Sequence, residues 1–142
     1  MNGHPRPLRP WHPEPMARIH DVVVDCEHPA SLARFWAAVL DGYDVAPYDE
    51  AELARLRSNG IDDPEDDPSV LVEAAPGVRP RFFFQLVPEP KTVKNRLHLD
   101  LQADDRSAEV RRLVGLGATV TATYDRWTLL ADPEGNEFCV RT

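Results

Sequence analysis

The pattern of local structure along this chain occurs twice, and that repetition constrains its fold more than any other feature. A β-branched run, Ile19–Cys26, precedes an amphipathic helix and then strands near Val70–Glu73 and Arg81–Val87. The alternating run Leu97–Gln102 starts the same order again, with a helix and strands near 118–123, 126–131 and 136–141. A repeated supersecondary unit sets the architecture before any single residue is weighed. With Asp21 and His98 taken as equivalent strand positions, the first copy is the longer one. The excess matches segment 49–68, a short helix over Ala51–Ser58 followed by the acidic, proline-punctuated IDDPEDDPS, and an insertion in one copy accounts for it.

The helices are legible from their period. Leu32, Phe35, Trp36, Val39 and Leu40 form one stripe behind Pro29, which suits a first helical turn, and Gly42 ends the segment. Burying such a stripe is worth about 1.5–3 kcal/mol per large side chain, so this helix must lie on a sheet. In the second copy Asp104 or Asp105 caps a helix carrying Val110, Leu113, Val114 and Leu116, and Gly117 supplies its C-terminal turn. The run Leu97–Gln102 alternates strictly. Leu97, Leu99 and Leu101 point one way and His98, Asp100 and Gln102 the other, as in a half-buried strand with a polar face.

Composition narrows the function. A formal charge of −8 over 142 residues argues against general nucleic-acid binding and against anionic membranes. No apolar run approaches the ~18 residues of a membrane span, and the proline-rich start lacks a signal peptide's apolar region, so a cytoplasmic protein is expected. Two cysteines without CxxC spacing read as reduced thiols. Residues 1–17 read as a disordered proline-rich tail, with Met16 an alternative natural start to Met1.

The segments DVVVDCEHPASLARFW, KNRLHLDL, LGATV and DPEGNEFCV resemble the vicinal oxygen chelate superfamily, which includes glyoxalase I, bleomycin-resistance proteins and extradiol dioxygenases. The resemblance covers residues 18–142 and is nearest to small bacterial glyoxalase-like proteins. It implies an α+β fold of two βαβββ modules, about 18–90 and 96–142. Their curved mixed sheets would form a half-barrel cup with helices outside, and the protein would be a homodimer binding a small molecule.

Carried over by position, the cup would be lined by Asp21, Gln85, His98, Asp100, Trp127, Glu137 and Cys139. Metal-using members draw one ligand from the first and fourth strands of each module, positions that here hold Asp21, Gln85, His98 and Cys139. Only His98 is a routine match, so no cofactor is expected; were a divalent metal bound, Asp21, His98 and Cys139 would be its ligands. Lys91, Lys94 and Arg96 concentrate three cations directly before the His98 strand and suggest an anion-binding rim, beside the plainer reading of a solvated loop. Two functions follow. One is a lyase- or isomerase-type enzyme acting on a small oxygenated metabolite, with His98 as general acid/base. The other is a binding protein of the bleomycin-resistance type that sequesters a ligand without chemistry.

Overall fold

The computed structural model describes residues 16–142, so the expected tail 1–17 lies outside the described residues except for Met16 and Ala17. Its elements are β1 (Asp21–Cys26), α1 (Pro29–Val39), β2 (Asp44–Val45), α2 (Glu50–Ser58), β3 (Ser69–Glu73), β4 (Arg81–Leu86), β5 (Leu99–Gln102), α3 (Arg106–Leu116), β6 (Thr119–Thr123), β7 (Trp127–Ala131) and β8 (Glu137–Arg141). A 3₁₀ turn, Pro64–Asp66, follows α2.

The repetition appears as two four-stranded sheets of identical order, β1-β4-β3-β2 and β5-β8-β7-β6. In each, the opening strand pairs parallel with the last strand of its own half, and the remaining pairs are antiparallel. The halves differ mainly between their second and third strands. Residues 46–68 make that connection in the first half, whereas 124–126 suffice in the second. The longer connection holds α2 and the 3₁₀ turn, and the Arg34–Glu65 ion pair at 2.8 Å fastens that turn to α1.

Alternation along the strands separates two faces. Val70, Val72, Phe82 and Phe84 of the first sheet, and Leu130, Phe138 and Val140 of the second, enter one continuous core with Leu32, Phe35, Trp36 and Val39 of α1. The predicted α1 stripe is therefore the buried face. On α3 the expected set divides: Leu113 is fully buried, whereas Val114 and Leu116 are exposed. Strand β5 begins at Leu99 rather than Leu97, which leaves Leu97 72% exposed in the segment leading into the strand. The short β2 has no counterpart in the sequence reading, because Asp44–Val45 is too brief to show a period.

Helix α1 serves both halves. Phe138 lies against Trp36 and Phe35 with ring centroids 5.0 and 6.4 Å apart, and the Trp36 indole N–H donates to buried Asp132 at 3.1 Å. The helix has no side-chain N-cap of its own. Instead the Glu134 carboxylate, from the β7–β8 turn, accepts from the backbone N–H groups of Glu27 and His28 at 2.7 and 3.0 Å. At its other end Arg112 of α3 donates to the carbonyls of Ala38 and Val39 at 2.7 and 3.0 Å. An anion at the start and a cation at the end of a helix each oppose its dipole favourably, by about 0.3–1 kcal/mol.

Phe138→Ala should therefore cost roughly 3–5 kcal/mol, the range for an aromatic deleted from a packed core. Urea unfolding followed by circular dichroism measures it; a loss under about 1 kcal/mol would mean that the second sheet does not lean on α1.

Candidate functional site

On the second sheet, the face turned away from the core carries a cavity of about 420 Å³ lined by Lys94, His98, Asp100, Arg126, Trp127, Leu129, Glu137, Cys139 and Arg141. Strand parity explains it. Phe138 and Val140 go to the core, so Glu137, Cys139 and Arg141 go to the opposite face, where Cys139 stands in register with Asp100 on one side and Leu129 on the other. His98 precedes β5 by one residue and keeps the parity of Asp100. Its Nε2 lies 3.2 Å from Asp100 Oδ1, with the His98 and Asp100 side chains 43% and 53% exposed.

A second cavity, about 350 Å³, occupies the seam between the edge strands β1 and β5. Val23, Asp25 and Trp36 of the first half and Arg96, His98 and Glu137 of the second are among its lining residues. His98 and Glu137 thus face both spaces. The free face of the first sheet has its own cavity, about 700 Å³, walled by α2 and by Ser69, Leu71 and Phe83.

The expected site residues divide among these places. His98, Asp100 and Cys139 come together, each offering a donor atom within 4.8 Å of the other two. Trp127 joins the same cavity. Asp21 does not: it lines neither cavity that His98 lines, and Arg81 of β4 holds it in a two-bond ion pair at 2.8 and 3.1 Å, with His20 at 2.9 Å on the same carboxylate. Register gives the reason, because Arg81 is the residue directly opposite Asp21. Gln85 stands opposite Asp25, four positions beyond Asp21 and so roughly 13 Å along the strand direction, and it is exposed.

The basic segment before β5 is also divided. Lys91 is half-buried and donates to Glu137 at 2.9 Å and to the Val93 carbonyl, while the Asn95 N–H donates to the other Glu137 oxygen at 3.0 Å. Lys91 therefore positions Glu137 within the fold. Lys94 lines the second-sheet cavity and Arg96 lines the seam. Two further cations of the second-sheet cavity, Arg126 and Arg141, lie outside the expected set. Extending the Glu137–Cys139 alternation by one step gives Arg141, and Arg126 adjoins Trp127 in the β6–β7 turn.

Protonation follows these contacts. The hydrogen bond from Arg81 holds the Asp21 carboxyl down at about 2 against the opposing effect of burial. The bond from Lys91 does the same for Glu137, also to about 2, with the Asn95 N–H assisting. Burial first, and then the Asp100 charge, pushes the Cys139 thiol up. Cys26 is pushed up to about 12 by burial and by the nearby charges of Glu134 and Asp132, as suits an inert core thiol.

Both depressed carboxyls lie below their ordinary values of 3.8 and 4.5, so their stabilisation is complete above about pH 5 and is lost as pH falls toward 2. Glu137→Gln should be less stable at pH 7 and should lose less stability than the parent between pH 5 and pH 2. Urea unfolding across that range decides; parallel curves for variant and parent would show that Glu137 titrates normally.

No curated protein sequence matches the chain. Among solved structures it is similar to a glyoxalase/bleomycin resistance protein/dioxygenase family enzyme from Burkholderia phytofirmans PsJN, at 18% identity and TM-score 0.56, covering 87% of this chain and 97% of that one. It is also similar to the trypanothione-dependent glyoxalase I of Leishmania major, at 12% identity and TM-score 0.59, covering 89% and 87%. A possible glyoxalase from Bacillus cereus matches at 11% identity and TM-score 0.59, covering 89% and 100%. At such identities these likenesses speak to the fold. The model of the glyoxalase-like domain family matches residues 21–141, across both sheets and the cavities between and upon them, and the chain belongs to that family within the vicinal oxygen chelate superfamily.

Proposed function

We propose that this protein is a small-molecule enzyme that transfers a proton at a carbon next to a carbonyl, with His98 as acid/base and Asp100 as its orienting partner. The observation that carries the reading is the 3.2 Å contact between His98 Nε2 and Asp100 Oδ1 where two cavities meet. A carboxylate beside one ring nitrogen orients an imidazole so that the other nitrogen is turned to the substrate. With Nε2 facing Asp100, Nδ1 is left for substrate. Cavities of this size fall within the range that holds small metabolites. A homodimer belongs to the same proposal, supported by the exposed apolar side chains Val114 and Leu116 on α3 and Val120 on β6.

The superfamily also implies a divalent metal, and three side chains here fit one. Imidazole nitrogen, carboxylate oxygen and thiolate sulfur are all zinc donors, and a three-residue set leaves a position open. The sulfur turns the set away from hard ions such as Mg²⁺. Asp100 takes the place in this set that the family pattern would give Asp21. An ion held by His98, Asp100 and Cys139 would supply Lewis acidity at the cavity wall. Its binding would release the Cys139 proton, whose loss burial and Asp100 disfavour.

The test is deuterium incorporation from D₂O into small 2-oxoacids and 2-hydroxyaldehydes, followed by proton NMR. His98→Asn should slow exchange by ~10²–10⁴-fold while leaving the circular dichroism spectrum intact. Equal rates in parent and variant would remove His98 from the chemistry, and no exchange with any compound would leave ligand binding alone. Exchange that survives dialysis against a chelator assigns the step to His98 unaided. Exchange lost on dialysis and restored by zinc assigns it to the metal-bearing set.

A further inference from the structure

We infer that the second-sheet cavity takes an anionic ligand with a flat apolar portion, its negative group held among Lys94, Arg126 and Arg141 and its flat portion against Trp127. The inference deepens the preceding proposal and rests on it for identifying this cavity as the reaction site, but the binding it predicts is measured separately.

Charge accounting leads to this class of ligand. The chain has 24 acidic residues against 16 lysines and arginines, so an unpaired cation has many opportunities to find a partner. Among the described residues Arg34, Arg55, Arg81, Arg112 and Lys91 have one and nine other lysines and arginines do not, so what distinguishes a subset of these is convergence on one concave space. Lys94, Arg126 and Arg141 line one cavity, and among the described residues none of them makes an ion pair or a side-chain hydrogen bond. Of the two acids in that wall, Glu137 is held by Lys91, and Asp100, 3.2 Å from His98 Nε2, is a single carboxylate against the three cations. An acidic molecule therefore keeps uncompensated positive charge in a concave space, where field lines are focused and an anion is favoured. Guanidinium groups suit this role because their fork matches a carboxylate or phosphate.

The apolar half of the site is held in place beforehand. Trp127 stacks on Tyr124 with centroids 5.0 Å apart and planes 29° apart, and Trp127, not Tyr124, lines the cavity. Arg106 at the start of α3 donates to the carbonyls of Tyr124 and Asp125 at 3.0 and 2.9 Å, and the Tyr124 N–H closes the turn on the Trp127 carbonyl at 2.8 Å. Trp127 and Arg141 are register partners on β7 and β8, so aromatic ring and cation stand side by side. Leu129 and Cys139, the next pair along, add an apolar floor leading toward His98. A platform ordered before binding spares the ligand that cost. The same charges disfavour a cationic ligand.

Isothermal titration of the full chain with 2-naphthoate, 2-naphthamide and 2-naphthylmethylammonium tests the inference. Naphthoate should bind at least tenfold more tightly than the amide, and the ammonium compound more weakly than either. The double variant Arg126→Gln/Arg141→Gln should lose at least tenfold in naphthoate affinity while binding the amide as before. Trp127→Ala should weaken naphthoate and amide alike. Failure of naphthoate to bind at millimolar concentration, equal affinity for the three probes, or indifference to the arginine substitutions would overturn the inference. Naphthoate preference without any proton exchange would keep this inference and reject the enzyme. Exchange of carbonyl compounds without naphthoate preference would do the reverse.

Discussion

The indole N–H of Trp36 crosses from the first half of the molecule to the Asp132 carboxylate in the second, and much of the site stands on what that carboxylate holds. Asp132 also accepts from the backbone N–H groups of Glu134 and Asn136 and from the Asn136 amide, which fixes the β7–β8 turn. From that turn Glu134 reaches back to the start of α1, while the Asn136 side chain bonds Asn95 in the segment leading to β5. Glu137, next in the chain, binds Lys91 and the Asn95 backbone. A continuous path of hydrogen bonds thus runs from the core helix to the segment that delivers His98. A buried carboxylate with so many donors is costly to disturb, because losing one partner exposes the desolvation cost of the rest.

The two halves share a strand order and differ in what their outer faces carry. In the first half the face away from the core pairs Asp21 with Arg81 and is walled by α2, with Phe83 packed beneath the Arg81 guanidinium. In the second half the equivalent face is open and holds His98, Asp100 and Cys139 beside a cluster of cations. The long connection 46–68 in one half and the three-residue turn in the other explain part of that difference, since only the second sheet keeps its outer hairpin free to present Arg126 and Trp127.

The repeat, the α1 stripe and the strict alternation from His98 onward were all legible in the sequence, because period and spacing survive any arrangement of the halves. The partners of individual side chains were not. Arg81 opposite Asp21 depends on the register of a parallel pair formed by residues sixty positions apart, and no local pattern reports that. Leu97 keeps the parity of a core residue yet lies before the strand starts, where nothing covers it. Lys91 reads as a surface charge until Glu137, far along the chain, is brought beside it. Arg141 lies one alternation step beyond Cys139, so strand parity puts it on the same face.

If α1 belongs to both halves, the halves cannot unfold separately. Scanning calorimetry of the full chain measures this most directly. The account predicts one transition whose calorimetric and van't Hoff enthalpies agree. Two resolved transitions, or a calorimetric enthalpy well above the van't Hoff value, would contradict it and make the sheets independent units that merely touch.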